Sequence, residues 1–170
     1  MEIEGTIFKQ KLSLDSNLLI LTVEEKSNTN QKLEVTIPAF EAKTVSSTNI
    51  RLKDFSSQYV LLDFWGTWCV PCVKSLPKIK KINEKHSDKI KIIGIAYDED
   101  EPKVRDFLNK NIYTWDNIFE SRSKTTKNSI VKLYNIEVFP TYILMDKNQK
   151  IVYKGSNIDD LLKTIKKLKL

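Results

Sequence analysis

The chain has two cysteines, Cys69 and Cys72, three positions apart at a point where an apolar run gives way to a helical pattern. A disulfide scaffold needs more cysteines spread along the sequence, and a structural zinc site needs about four ligands. The sole histidine, His86, completes no such set and is expected near a helix end, in solvent. A Cys-x-x-Cys pair between strand and helix has instead the spacing of a redox motif, because both sulfurs meet at the first helical turn. Cys69 is expected at the helix N-terminus, where unpaired amides and the positive end of the helix dipole stabilise a thiolate. Cys72, one turn further in, is expected to be more buried, which suits it to resolving rather than attacking.

The patterns on either side define the frame. Tyr59 to Trp65 is nearly continuously apolar, as in a central strand buried on both faces, with Asp63 the exception. A carboxylate there is unfavourable unless it is paired or neutral, so Asp63 either holds a proton or bonds to neighbouring backbone. Val73, Leu76, Ile79 and Ile82 recur at helical spacing beyond the cysteines, with Pro77 expected to kink that helix. Lys91 to Tyr97 reads as a second strand, and Pro102 opens a helix carrying Val104, Phe107 and Leu108. A further helix is predicted from about Lys124 to Tyr134. Thr141 to Met145 and Lys150 to Tyr153 form an expected hairpin about Asp146-Lys147-Asn148-Gln149. The final helix carries Ile158, Leu161, Leu162, Ile165 and Leu168 on its buried side.

This order predicts an α/β domain over residues 38–170, with a central mixed β-sheet flanked by helices. Residues 1–37 read as a β-rich N-terminal extension of unassigned purpose, with short alternating runs at Leu18–Val23 and Leu33–Ile37 and a turn at Ser27–Asn30.

Composition excludes several classes. Hydrophobic residues at 41% and charged residues at 29% give the balance of a soluble globular protein, and no apolar run approaches the roughly 20 residues of a spanning helix. The net charge of +6 includes a dense lysine share from Lys163 to Lys169. Those lysines lack interleaved arginines and aromatics, so no nucleic-acid partner is expected. Four glycines leave little room for a phosphate-cradling loop, and no metal, flavin or nucleotide cofactor is expected. The start Met1-Glu2-Ile3-Glu4-Gly5 has neither the basic nor the apolar part of a secretory signal, which leaves a cytoplasmic location and a removed leader both open.

The stretch Phe64-Trp65-Gly66-Thr67-Trp68-Cys69-Val70-Pro71-Cys72 resembles the signature of thioredoxin-like proteins, and within them the TlpA/ResA group of bacterial envelope thiol-disulfide oxidoreductases. The likeness extends upstream to Pro38-Ala39-Phe40 and Leu52-Lys53-Asp54-Phe55, and downstream to Pro77 and Val138-Phe139-Pro140-Thr141. It covers roughly residues 38–170 and implies a thioredoxin-like fold. It also implies a reductase of protein disulfides, working by dithiol-disulfide exchange through Cys69 and Cys72. By the same likeness Asp63 accepts and returns the Cys72 proton through a water, and Pro140 is the cis-proline beside the cysteines, the alternative being an ordinary trans proline opening a strand. Phe139 then offers backbone groups to an extended substrate, and Trp68 shapes the docking surface, while Trp65 either flanks the site or packs in the core and Trp115 reads as core or loop support.

One position departs from the pattern. Many members of the group carry a glutamate three residues after the second cysteine, where this chain has Ser75, so proton handling is expected to fall to Asp63. Val70 and Pro71 lie between the cysteines without the histidine of strong oxidants, which favours a low potential and the reducing direction. The resemblance implies protein disulfide or dithiol partners and an upstream thiol-disulfide electron donor, acting on a monomer in the bacterial periplasm or cell envelope. A thioredoxin-fold docking module and a thiol peroxidase are the rival readings.

Overall fold

The computed structural model describes residues 38–124 and 128–170. The extension expected over 1–37, with its strands, lies outside the described residues.

A short antiparallel hairpin, β1 (Glu41–Lys43) and β2 (Asn49–Arg51), leads through a 3-10 turn at Leu52–Phe55 into β3 (Tyr59–Trp65). There follow α1 (Val70–His86), β4 (Ile90–Asp98), α2 (Glu101–Lys110), β5 (Asp116–Ser121), α3 (Ile130–Leu133), β6 (Thr141–Met145), β7 (Ile151–Gly155) and α4 (Ile158–Lys167). The five-stranded sheet has the order β5-β4-β3-β6-β7. Strand β3 pairs parallel with β4 and antiparallel with β6, so the sheet is mixed, as its sequence order implies. Its central strands are continuously apolar because both faces are covered. Leu61, Trp65, Ile92 and Leu144 face a core shared with α1, α2 and α4, whereas Leu62, Phe64, Ile93 and Ile143 face one shared with the hairpin and α3.

Two parts of the fold differ from expectation. Within the described residues, the helix predicted from Lys124 to Tyr134 is only Ile130–Leu133. Its start is fixed by Ser129, whose hydroxyl accepts from the Lys132 amide, and by Glu120 of β5, whose carboxylate takes the Ile130 and Val131 amides. Beyond Tyr134 the chain turns through Asn135 at a positive φ of 49°, which ends the helix.

The second difference is β5, a strand the apolar pattern does not announce because Asp-Asn-Ile-Phe-Glu-Ser is mostly polar. Asn117 is nevertheless buried, its side chain accepting from the Trp65 indole at 3.0 Å and donating to the Trp115 carbonyl at 2.9 Å. Gly94 of β4 makes the room, since a Cβ there would meet Asn117 Oδ1 at 2.0 Å.

Candidate active site

The cysteine pair sits where β3 hands over to α1, and the local chemistry explains the handover. Gly66 follows the strand closely against its neighbours: a Cβ there would meet the Trp68 indole nitrogen at 2.4 Å and the Tyr97 carbonyl at 2.7 Å. The chain then turns, with the Cys69 amide donating to the Gly66 carbonyl at 3.1 Å. Cys69 is the N-cap of α1 in an extended conformation, and Pro71 occupies the first helical turn, where its missing N–H breaks no bond. The Cys69 and Cys72 sulfurs are joined as a disulfide. Cys69 Sγ accepts the Cys72 amide at 3.2 Å, the contact a thiolate at a helix N-terminus would use. Cys69 is 4% exposed and Cys72 0%, so the sequence order of burial is kept although the interval is small.

Asp63 is 1% exposed in the middle of β3, paired in register with Gly94 on one side and Tyr142 on the other. Alternation puts its side chain on the same sheet face as Leu61 and Trp65, the face against which Cys72 packs. Burial pushes its carboxyl up to about 7. Oδ2 has no hydrogen-bond partner among the described residues, so the loss of water around that oxygen is not offset. Above it the Tyr142 hydroxyl donates to Ser75 Oγ at 2.7 Å, and Ser75 donates to the Cys72 carbonyl at 2.7 Å. Burial is also the main cause raising the Tyr142 hydroxyl, with the Asp63 charge adding to it.

The outward side is aromatic and apolar. The Phe139–Pro140 bond is cis, and the Thr141 hydroxyl donates to the Val138 carbonyl. Phe139 meets Trp68 edge-on at 5.5 Å and stacks on Tyr97 at 5.5 Å, which brings the Val138–Pro140 segment beside the cysteine turn. Trp68, Val70 and Val138 are exposed at 41%, 62% and 60%, although large apolar side chains are normally covered. The Arg122 guanidinium lies 4.2 Å over the Trp68 ring.

Cys69, Cys72, Trp68, Phe139 and Pro140 therefore lie together at this end of the sheet, with Asp63 further back along β3 on the face against which Cys72 packs. Asp98, Ser75 with Tyr142, and Arg122 also belong there and were not singled out as site groups, apart from Ser75 as a departure. Asp98 reads as one acid in Asp98-Glu99-Asp100-Glu101, and only its place as the last residue of an apolar strand sets it apart.

A cysteine pair at the head of the helix that follows the central strand, with a cis-proline segment alongside, defines the class of thioredoxin-fold thiol-disulfide oxidoreductases. The chain belongs to the Redoxin family, whose model matches residues 32–167. It is similar to thiol-disulfide oxidoreductase ResA of Bacillus cereus, 32% identical over 69% of this chain and 65% of that one. ResA of Bacillus thuringiensis subsp. konkukian is 30% identical over 77% of this chain and 71% of its own length, so the match spans about two thirds of these relatives. Among solved structures, the thioredoxin domain of a thiol-disulfide oxidoreductase from Bacteroides vulgatus superimposes with a TM-score of 0.68. That pair shares 28% identity, covering 79% of this chain and 96% of the other.

Proposed function

We propose that the chain reduces protein disulfides, with Cys69 attacking, Cys72 resolving and Asp63 carrying the resolving proton. The observation that carries this reading is the Cys72 amide directed at Cys69 Sγ at 3.2 Å, which stabilises negative charge on that sulfur and not on its partner. In the reduced protein the Cys69 thiolate attacks one sulfur of a substrate disulfide. A bond forms between them, and the other substrate sulfur leaves as a thiolate. Cys72 then gives its proton to the Asp63 carboxylate and attacks Cys69 Sγ. The Cys69–Cys72 bond closes and the second substrate sulfur leaves, so two electrons have passed from the pair to the substrate. A carboxyl near pH 7 is suited to this, since it is present in both protonation states at neutral pH.

The rim of Trp68, Val70 and Val138, with the backbone of Phe139, would receive an extended segment around the substrate cysteine. A separate thiol-disulfide donor would return electrons to the pair, Asp63 then returning its proton to Cys72. We place this work in the bacterial cell envelope or periplasm, on the resemblance to the ResA relatives; among the described residues no helix is long and apolar enough to cross a membrane. The chain is taken to act as a monomer.

Equilibration of the Cys69–Cys72 pair with a thiol buffer tests the direction. A potential near thioredoxin's, about −270 mV, supports a reductase, whereas one near about −120 mV would reverse the net flow. Reduction of insulin without consumption of peroxide separates this reading from a peroxidase.

A further inference from the structure

Asp98 is a carboxylate only 2% exposed, at the end of β4, whereas Glu99 and Asp100 beside it are exposed. Burying a carboxylate is unfavourable unless donors surround it. Asp98 Oδ2 accepts from the Thr67 amide and from the Thr67 hydroxyl, both at 2.7 Å, and Oδ1 accepts from the Glu99 amide at 2.9 Å. Two of these donors thus come from one residue of the turn that delivers Cys69. The next residue of that turn, Trp68, donates its indole N–H to the Tyr97 carbonyl at 2.8 Å. The last two residues of β4 therefore hold both central residues of the Gly66–Cys69 turn, and the attacking cysteine is next in the chain.

We infer that Asp98 is a positioning residue for the attack by Cys69, acting through Thr67 to keep Cys69 at the N-cap of α1. It touches neither sulfur. Its effect is on the place of Cys69 Sγ relative to the Cys72 amide, which lies 3.2 Å away while the turn is held. That amide stabilises the Cys69 thiolate, which exists only before the first attack; in the mixed disulfide Cys69 Sγ is uncharged, so the second half of the reaction does not draw on the contact. The inference rests on the exchange reaction proposed above.

The two half-reactions can be timed separately with 5,5′-dithiobis(2-nitrobenzoate), a small aromatic disulfide. Attack by Cys69 joins it to one probe sulfur, breaks the probe's disulfide and releases one thionitrobenzoate anion. Attack by Cys72 on Cys69 Sγ closes the protein disulfide and releases the second, its proton passing to base. In Thr67→Val, which keeps the amide donor and loses the hydroxyl, the first release is expected to slow about tenfold, because a small displacement weakens the amide's hold on the Cys69 thiolate. The second release keeps the parent rate, and Thr67→Ser, which restores the hydroxyl, returns the first to within about twofold of the parent. Asp98→Asn gives the same split. If that buried substitution prevents folding, Thr67→Val decides alone, since Thr67 is half-buried and valine has its shape. A first release in Thr67→Val within about twofold of the parent, or both releases slowed alike, would overturn the positioning role. A parent protein that releases no thionitrobenzoate would instead overturn the exchange reaction, and the inference with it.

Discussion

Around Cys69 the neighbours face outward, and around Cys72 they face into the core. The sulfurs themselves differ little in exposure, at 4% and 0%, so the contrast belongs to what surrounds them. The rim of Trp68, Val70 and Val138 leaves apolar surface uncovered, which is unfavourable in water and fits the docking of a substrate chain proposed above. The floor of Asp63, Ser75 and Tyr142 buries polar groups, which is unfavourable inside a protein unless each is hydrogen-bonded or neutral. Two intervening residues, Val70 and Pro71, thus separate an exposed apolar rim from a buried polar floor.

The strongest way to break that contrast is to exchange the two cysteines' fates. Cys69→Ser and Cys72→Ser should each lower turnover by about a thousandfold or more, since each removes an obligatory sulfur. Only Cys72→Ser should accumulate a mixed disulfide with insulin, visible on a non-reducing gel. Equal accumulation in both variants would mean that rim and floor do not divide the labour.

Asp63→Asn tests the floor next. It should slow closure of the Cys69–Cys72 bond about a hundredfold, as loss of a general base does, and leave the attack by Cys69 unchanged. It should also change how stability depends on pH. The folded carboxyl sits at about 7 and the unfolded one at about 3.9, so between these values the folded chain binds more protons than the unfolded chain. Stability of the parent contributed by this group is therefore full below pH 4 and lost as pH rises through 7. Relative to the parent, Asp63→Asn should gain on the order of 4 kcal/mol between pH 4 and pH 8, levelling off above. Denaturant unfolding of the oxidised proteins, in which the cysteines do not titrate, measures it. A flat difference would make Asp63 an ordinary hydrogen-bonded carboxylate.

The rim and the floor were not equally legible in the sequence. Cys69 and Cys72 stand in a motif whose spacing carries the chemistry, Trp68 and Pro140 are marked by the family resemblance, and Asp63 is conspicuous as one acid in an apolar run. The strands β3, β4 and β6 and the helices α1, α2 and α4 followed from continuous or periodic apolar residues, because burial on two faces or on one dictates those patterns. What the sequence hid are the polar groups whose partners are far along the chain. Asn117 is buried for a bond to Trp65, Tyr142 for one to Ser75, and Asp98 for two to Thr67, across intervals of 52, 67 and 31 residues. No local pattern marks such a residue, since its burial is justified only by the fold that brings the partner. The short α3 failed for the same reason, its first amides being held by Glu120 of another element.

The hydroxyl pair of the floor should give a smaller effect than Asp63, and an asymmetric one. Ser75→Ala leaves the buried Tyr142 O–H without an acceptor, whereas Tyr142→Phe leaves Ser75 still donating to the Cys72 carbonyl. An orphaned buried donor costs about 1–3 kcal/mol and a simple lost hydrogen bond about 1 kcal/mol. Ser75→Ala should therefore be the more destabilising of the two in urea unfolding, although each substitution removes one hydroxyl. The reverse order would mean that the tyrosine hydroxyl keeps a partner when Ser75 is lost, and that its bond to Ser75 is not what satisfies it.

The rim should give the smallest change in stability and still affect the reaction. Val138 is 60% exposed, so Val138→Ser removes little buried area and should leave unfolding within about 0.5 kcal/mol of the parent. Its contribution, if the rim receives a substrate chain, is realised only when that chain covers it. Covering one valine is worth at most about 1.5 kcal/mol, so the KM for insulin should rise about threefold to tenfold in Val138→Ser. The kcat should hold, because uniform binding and not the chemistry has been weakened. Reaction with 5,5′-dithiobis(2-nitrobenzoate), which is too small to span the rim, should be unaffected. A matching loss with both disulfides would mean that Val138 acts on Cys69 itself through Phe139 and Trp68, whose rings touch at 5.5 Å, and the rim would then belong to positioning and not to docking.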